Sequence, residues 1–153
     1  MTNVYLPVYF ETLLIMWKLV KAPDGDYYTL ALPRWDEPMH CFSVADVGAA
    51  VSSILNSPEE FIGKAMGLSA EALTTQQYAD VLSKRLGKEV RDAKISPVAY
   101  GKLVFSVAKE LADMFHCFQM KPDHDVKLTH CLNPEVKSFS QFILENLAAF
   151  KDV

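Results

Sequence analysis

Pro7 divides the most apolar stretch of the chain at a point that restricts how everything after it can be arranged. Before it, Asn3-Val4-Tyr5-Leu6 has the composition of a sheet strand. After it, Val8-Tyr9-Phe10-Glu11-Thr12 leads into Leu13-Leu14-Ile15-Met16-Trp17. Proline has no N–H to give to a ladder and suits the first turn of a helix, so the spacing predicts a strand ending at Leu6 and a helix from Pro7 to about Val20. Phe10, Leu13, Leu14 and Trp17 fall at the i, i+3, i+4, i+7 positions of a buried stripe, and Ile15, Met16 and Leu19 extend it to further faces. Such a helix is expected to be enclosed by other elements. In open parallel sheets the ligand crevice lies beyond the carboxyl ends of the strands, so the side chains just after Leu6 are candidate contacts.

The remaining pattern alternates short strands with helices. Pro23-Asp24-Gly25 is turn chemistry, followed by an expected strand over Tyr27–Leu32, a loop over Pro33–Pro38 with an exposed-looking Trp35, and a second strand over Met39–Phe42. Ser43-Val44-Ala45-Asp46 has the spacing of a helix start, with Ser43 as N-cap and Asp46 in the first turn. A catalytic Asp46 is the sharper alternative, and capping is preferred because it explains the residue fully. That helix should run to about Asn56 or Ser57. A strand is expected over Lys64–Ser69, then a helix opened by a capping box at Thr74-Thr75-Gln76-Gln77 and closed by Gly87. Its apolar face is Tyr78, Val81, Leu82 and Leu86. Glu89–Ile95 alternates like a half-exposed strand, and Ser96-Pro97 starts another helix. Leu103–Met120 reads as a helix with Val107, Leu111, Met114, Phe115 and Phe118 near one face, a stripe read as core. Asp123–Leu132 reads as a short helix. Ser138 caps the last one, which Phe142, Leu144, Leu147 and Phe150 should dock to the body.

With 153 residues, 50% of them hydrophobic and 22% charged, the chain is expected to fold as a single domain with its own core. A net charge of −4 argues against a nucleic-acid partner, which needs clustered Lys and Arg. No apolar run reaches the length of a membrane span and the start lacks a basic leader, so a cytoplasmic protein is expected. Cys41, Cys117 and Cys131 cannot all pair, which suits reduced thiols. Each follows a histidine (His40, His116, His130), but neighbouring residues diverge on either a strand or a helix, so no metal site is expected.

No complete active site is legible. The six glycines are too far apart for a Gly-rich phosphate-binding turn. None of the six tyrosines has a lysine four residues later, the pairing that lowers a phenol pKa for proton transfer. There is no G-x-S-x-G elbow. The carboxylate pairs Glu59-Glu60 and Asp123 with Asp125 sit in polar surroundings that favour solvation or capping.

Pro7-Val8-Tyr9-Phe10-Glu11-Thr12 nevertheless resembles the P-x-Y-F-E-N segment of the NmrA-like proteins, a branch of the atypical short-chain dehydrogenase/reductase superfamily. The similarity extends through Lys21–Gly25, Ser43–Gly48, Gly67-Leu68-Ser69 and Asp92-Ala93-Lys94. The resemblance implies an α/β fold: the C-terminal half of an NAD(P)-binding Rossmann-like fold, with a small mixed sheet, flanking helices and no counterpart of the N-terminal Gly-rich half. It further implies an NADP contact at Tyr9, Phe10, Glu11 and Thr12. Thr12 departs from the family asparagine and lacks its amide donor. Members of this branch are regarded as NADP-sensing regulators that bind other proteins. The chain is therefore expected to be a regulatory or interaction module without catalysis, cytoplasmic or also nuclear, with weak or no NADP binding by itself. The alternative is part of an NADP-dependent oxidoreductase whose Rossmann half comes from another chain or a longer isoform. Without neighbours, the strand Asn3–Leu6 and the following helix should present an edge and an apolar face, which predicts a protein partner or homo-oligomerisation.

Overall fold

The computed structural model describes residues 1–34, 36–103, 107–120 and 124–150, with the side chains of 118–120 left aside. Trp35, the Phe118 side chain and Asp123 lie outside the described set. The chain opens with β1 (Asn3–Tyr5) and, after Leu6-Pro7, continues as β2 (Val8–Tyr9) rather than as a helix. Val8 and Tyr9 are strand formers, and they pair in parallel with β5 (Met39–Phe42) in the register Val8↔Cys41 and Tyr9↔Phe42. That distant pairing satisfies backbone groups that a local helix would otherwise have satisfied, and Pro7 falls in the gap between strands where no ladder donor is required. The expected helix shrinks to α1 (Thr12–Ile15), whose last turn is closed by Met16 N–H donating to the Thr12 carbonyl at 2.8 Å. The apolar stripe still works in part. Phe10, Leu13 and Trp17 are buried, whereas Ile15 and Met16, expected to be enclosed, are 73% and 47% exposed.

β3 (Val20–Lys21) and β4 (Tyr28–Leu30) form a hairpin around Pro23-Asp24-Gly25, and β4 also pairs in parallel with β8 (Val90–Asp92). After β5, α2 (Val44–Asn56) and the short α3 (Pro58–Phe61) lead through Gly63, at φ +80°, into β6 (Ala65–Leu68). β7 (Glu71–Leu73), which the sequence pattern did not reveal, adds an antiparallel strand to β5. In α4 (Thr75–Leu86) the expected capping box is present. Thr74 Oγ1 accepts from Gln77 N at 3.2 Å, and Gln77 Oε1 accepts from Thr74 N at 2.8 Å. Gly87 ends the helix at φ +66°, a backbone conformation that only glycine adopts without strain.

Ser96 caps α5 (Pro97–Tyr100) by accepting the Ala99 N–H at 3.1 Å. α6 (Ala108–Met120) buries Ala108, Ala112 and Phe115, a narrower stripe than expected, with Leu111 and Met114 half-buried and Val107 40% exposed. β9 (His124–Asp125) precedes α7 (Val126–Leu132), where a helix alone was expected. Its two residues pair with β6 before Asp125 caps the helix by accepting Leu128 N–H at 2.9 Å. α8 (Phe139–Glu145) starts at Ser138 as expected, and a 3₁₀ turn follows over Leu147–Phe150. It docks through Phe139, Phe142, Ile143 and Phe150, whereas Leu144 and Leu147 are each 39% exposed.

The small mixed sheet and flanking helices expected from the sequence are present, the strands among the described residues being divided into three sheets of three, β1-β6-β9, β2-β5-β7 and β3-β4-β8, of which the last two are mixed. The first is wholly parallel, with β1 at its edge. The core between sheets and helices is strongly aromatic. Phe10 lies 5.3 Å from Phe139 and 5.5 Å from Phe142, and Tyr78 meets Phe139 edge-on at 4.7 Å. Trp17, Phe115 and Tyr100 form a second group, with Phe115 5.4 Å from Trp17. No described helix is long and apolar enough to cross a membrane.

Candidate ligand crevice

The junction after Leu6 lies where β2 and β5 run side by side to their carboxyl ends. Phe10 N–H continues the ladder to the Phe42 carbonyl at 3.0 Å, so Phe10 points wholly into the core at 0% exposure. Glu11 then turns toward the start of α2. Its Oε1 accepts the Ser43 hydroxyl at 2.8 Å, and Val44 N–H reaches Oε1 at 3.1 Å and Oε2 at 3.2 Å. The cap of α2 is thus the carboxylate of Glu11, 32 residues away in sequence, and not the Ser43 side chain, which makes no cap bond of its own. A carboxylate can meet the positive end of the helix with full charge as well as with hydrogen bonds, which a serine hydroxyl cannot. Asp46, 7% exposed, is likewise engaged at a distance, its Oδ2 accepting Lys137 N–H at 2.9 Å. Its buried carboxylate ties α2 to the segment before α8.

Of the four residues that the family resemblance nominates, Phe10 is enclosed in the aromatic core and Glu11 holds a helix. Tyr9 and Thr12 flank them with half-buried side chains.

A second group gathers beside β5. The rings of His40 and His124 stack with centroids 5.4 Å apart and planes 29° from parallel. The register Tyr5↔Gly67↔His124 sets His124 beside the carboxyl ends of β1 and β6, and His40 precedes the residue that pairs with Val8. Burial, then the neighbouring His124, then the Arg34 cation, lower the His40 pKa below its ordinary value. Arg34, 5% exposed, donates from Nη2 to the Pro38 carbonyl at 2.7 Å, while its Nε is buried without a hydrogen-bond partner. Burial lowers the guanidinium pKa, partly offset by the exposed Glu37. An unmatched buried donor of this kind costs about 1–3 kcal/mol. Sequence reasoning missed the pair because 84 residues separate the two histidines.

The His-Cys repeats do not assemble a metal centre. Cys41 is fully enclosed beside Tyr78, and burial pushes its thiol up to about 12. His130 Nε2 sits 3.1 Å from the Ala70 carbonyl, and Cys117 and Cys131 are exposed. Among the described residues no three His, Cys, Asp or Glu side chains are grouped to hold an ion.

Parallel strand ends followed by a strand-to-helix junction, within sheets flanked by helices, define an α/β protein with the Rossmann-like fold of NAD(P)-binding proteins. Residues 1–143 match the NmrA-like family, and the chain belongs to that family. It is 31% identical over 104 residues to an NmrA-like family domain-containing protein of Dictyostelium discoideum, covering 65% of this chain and 33% of that protein. NmrA, a negative transcriptional regulator solved in complex with NADP, superposes with a TM-score of 0.74 at 15% identity over 99% of this chain and 53% of its own. An NADPH-dependent quinone oxidoreductase from Escherichia coli gives 0.72 at 21% identity, over 92% and 53%. The chain therefore spans a third of the curated relative and about half of the solved structures.

Proposed function

We propose that this chain is the ligand- and partner-facing half of an NmrA-like regulator, related to proteins that sense NADP, and that it carries out no catalysis of its own. The observation that carries the reading is the fixed Tyr9–Thr12 segment at the strand ends, in a chain with no Tyr-x-x-x-Lys pair. Tyr9 and Thr12 would meet the nicotinamide end of NADP, and Phe10 and Glu11 would hold them in place from behind. The stretch has no Gly-rich turn to cradle a pyrophosphate, so its own affinity for the nucleotide should be weak or nil. A calorimetric titration of the purified chain with NADPH, and separately with NADH, is expected to give no saturable heat below roughly 100 μM, about 5.5 kcal/mol of binding free energy. Saturable binding near ~10 μM would overturn the loss of sensing.

The open edge of β1, with Tyr5, Ile15, Met16 and Val20 exposed nearby in sequence, supports a docking role for this side of the molecule. Sedimentation at micromolar concentration should then show species heavier than the 17.2 kDa chain, and a strictly monomeric solution would count against self-association through this side. A second reading is favoured by the chain's coverage of half of an NADPH-dependent oxidoreductase. In it, the nucleotide-binding half of a reductase comes from another chain or a longer isoform and completes the sheet beside β1. Either setting is compatible with the cytoplasm or the nucleus.

A further inference from the structure

We propose that Arg34, His40 and His124 form a recognition site for an anionic oxygen group, a carboxylate or phosphate, of a small ligand lying at the strand ends. The Arg34 guanidinium is 5% exposed, and no carboxylate lies within ion-pair distance of it among the described residues. One of its nitrogens is fixed to the Pro38 carbonyl at 2.7 Å, while Nε is buried without a partner. A fixed fork with an unused donor matches the geometry of an oxyanion.

The neighbouring His40 repeats the pattern. Its Nδ1 is buried and unpartnered, and its ring is held by stacking on His124 at 5.4 Å. Among the described residues, the acids of the neighbouring elements are engaged elsewhere or turned to solvent. Asp125 caps α7, Glu71 accepts Phe139 N–H at 3.0 Å from the opposite face of β5, and Glu37 is exposed. The position adds to the chemistry, since His124 stands beside the carboxyl ends of β1 and β6, where open α/β folds hold their ligands. This inference goes beyond the NADP reading and does not depend on it, so a failed nucleotide titration would leave it standing.

Binding should be linked to protons. Among the described residues, burial comes first and then the charges of His124 and Arg34, all of which disfavour the protonated form of His40. A bound anion reverses that balance and raises the imidazole pKa, so the anion should bind more tightly as pH falls from 8 to 6, by up to roughly tenfold per unit of pKa change.

The test is a titration of the full chain with inorganic phosphate and with acetate at constant ionic strength, chloride serving as the reference. Nitrogen-15 NMR of the imidazole rings reads the response. Saturable shifts of the His40 and His124 rings are expected with at least one probe, weakened tenfold or more in Arg34→Gln and less in Arg34→Lys. A response to phosphate alone assigns a phosphoryl ligand and one to acetate alone a carboxylate. Acetate stays ionised between pH 6 and 8, so its pH dependence reports on the protein. Should Arg34→Gln fail to fold, His40→Gln supplies the same comparison, read on His124. Ring shifts that merely follow ionic strength, or an affinity unchanged in both variants, would overturn the proposal.

Discussion

Replacing Phe139 by alanine is expected to lower the free energy of unfolding by about 3–5 kcal/mol, the usual range for emptying a fully enclosed aromatic site. Phe139 is 0% exposed and touches Phe10, Tyr78 and Phe142 with centroid distances of 5.3, 4.7 and 6.5 Å. It joins the strand junction, α4 and α8 through a single side chain. Since a single domain has only about 5–15 kcal/mol in total, the variant should stand near the edge of stability. Urea denaturation followed by circular dichroism reads the loss directly. A decrease below about 1 kcal/mol would mean that the helix collapses into the vacated space and that the cluster does not fix the position of α8. Phe139→Leu, which keeps most of the volume, should lose much less.

Replacing Glu11 by alanine tests whether this residue serves the fold or only a ligand. The change removes the acceptor for the Ser43 hydroxyl and for Val44 N–H, and takes a negative charge from the start of α2. Hydrogen bonds to charged groups contribute about 1.5–3 kcal/mol, and partial exposure here favours the lower end. A loss of about 1.5–2 kcal/mol is expected, with faster amide exchange through the first turn of α2. Glu11→Gln keeps an oxygen acceptor without the charge and should lose roughly half as much. An unchanged midpoint for Glu11→Ala would show that the carboxylate is dispensable to the fold, leaving ligand contact as its role.

Features decided within a few residues could be read from the sequence. The capping box at Thr74, the caps at Ser96 and Ser138, and the glycine at 87 were legible because donor, acceptor and backbone need lie within four residues of each other. The segment after Pro7 was misread because helical spacing of Phe10, Leu13 and Trp17 describes which side chains go inward, and both a helix and a short strand with a turn can deliver them there. What decided between them was the pairing of Val8-Tyr9 with residues 33 positions away. The engagement of Asp46 by Lys137 spans 91 residues and has no local signature at all. Tyr9 to Thr12 stood out through family resemblance, and the structure adds that two of the four are committed to packing and capping. The histidine pair escaped notice because its two rings come from residues 84 positions apart, which no local spacing can join.

The aromatic cluster also sets the order in which the molecule can become stable. Phe10 leaves the ribosome well before its partners Phe139 and Phe142, which come about 130 positions later. The parallel pairs β1-β6 and β6-β9 each span about 60 positions as well. During synthesis the early apolar segment must therefore wait, exposed, for the far end of its own core. Closing such distant contacts is slow, with folding on the order of milliseconds to seconds for topologies of this kind. An apolar segment left waiting that long is a natural client for chaperones, and the danger of misassembly is greatest before α8 emerges.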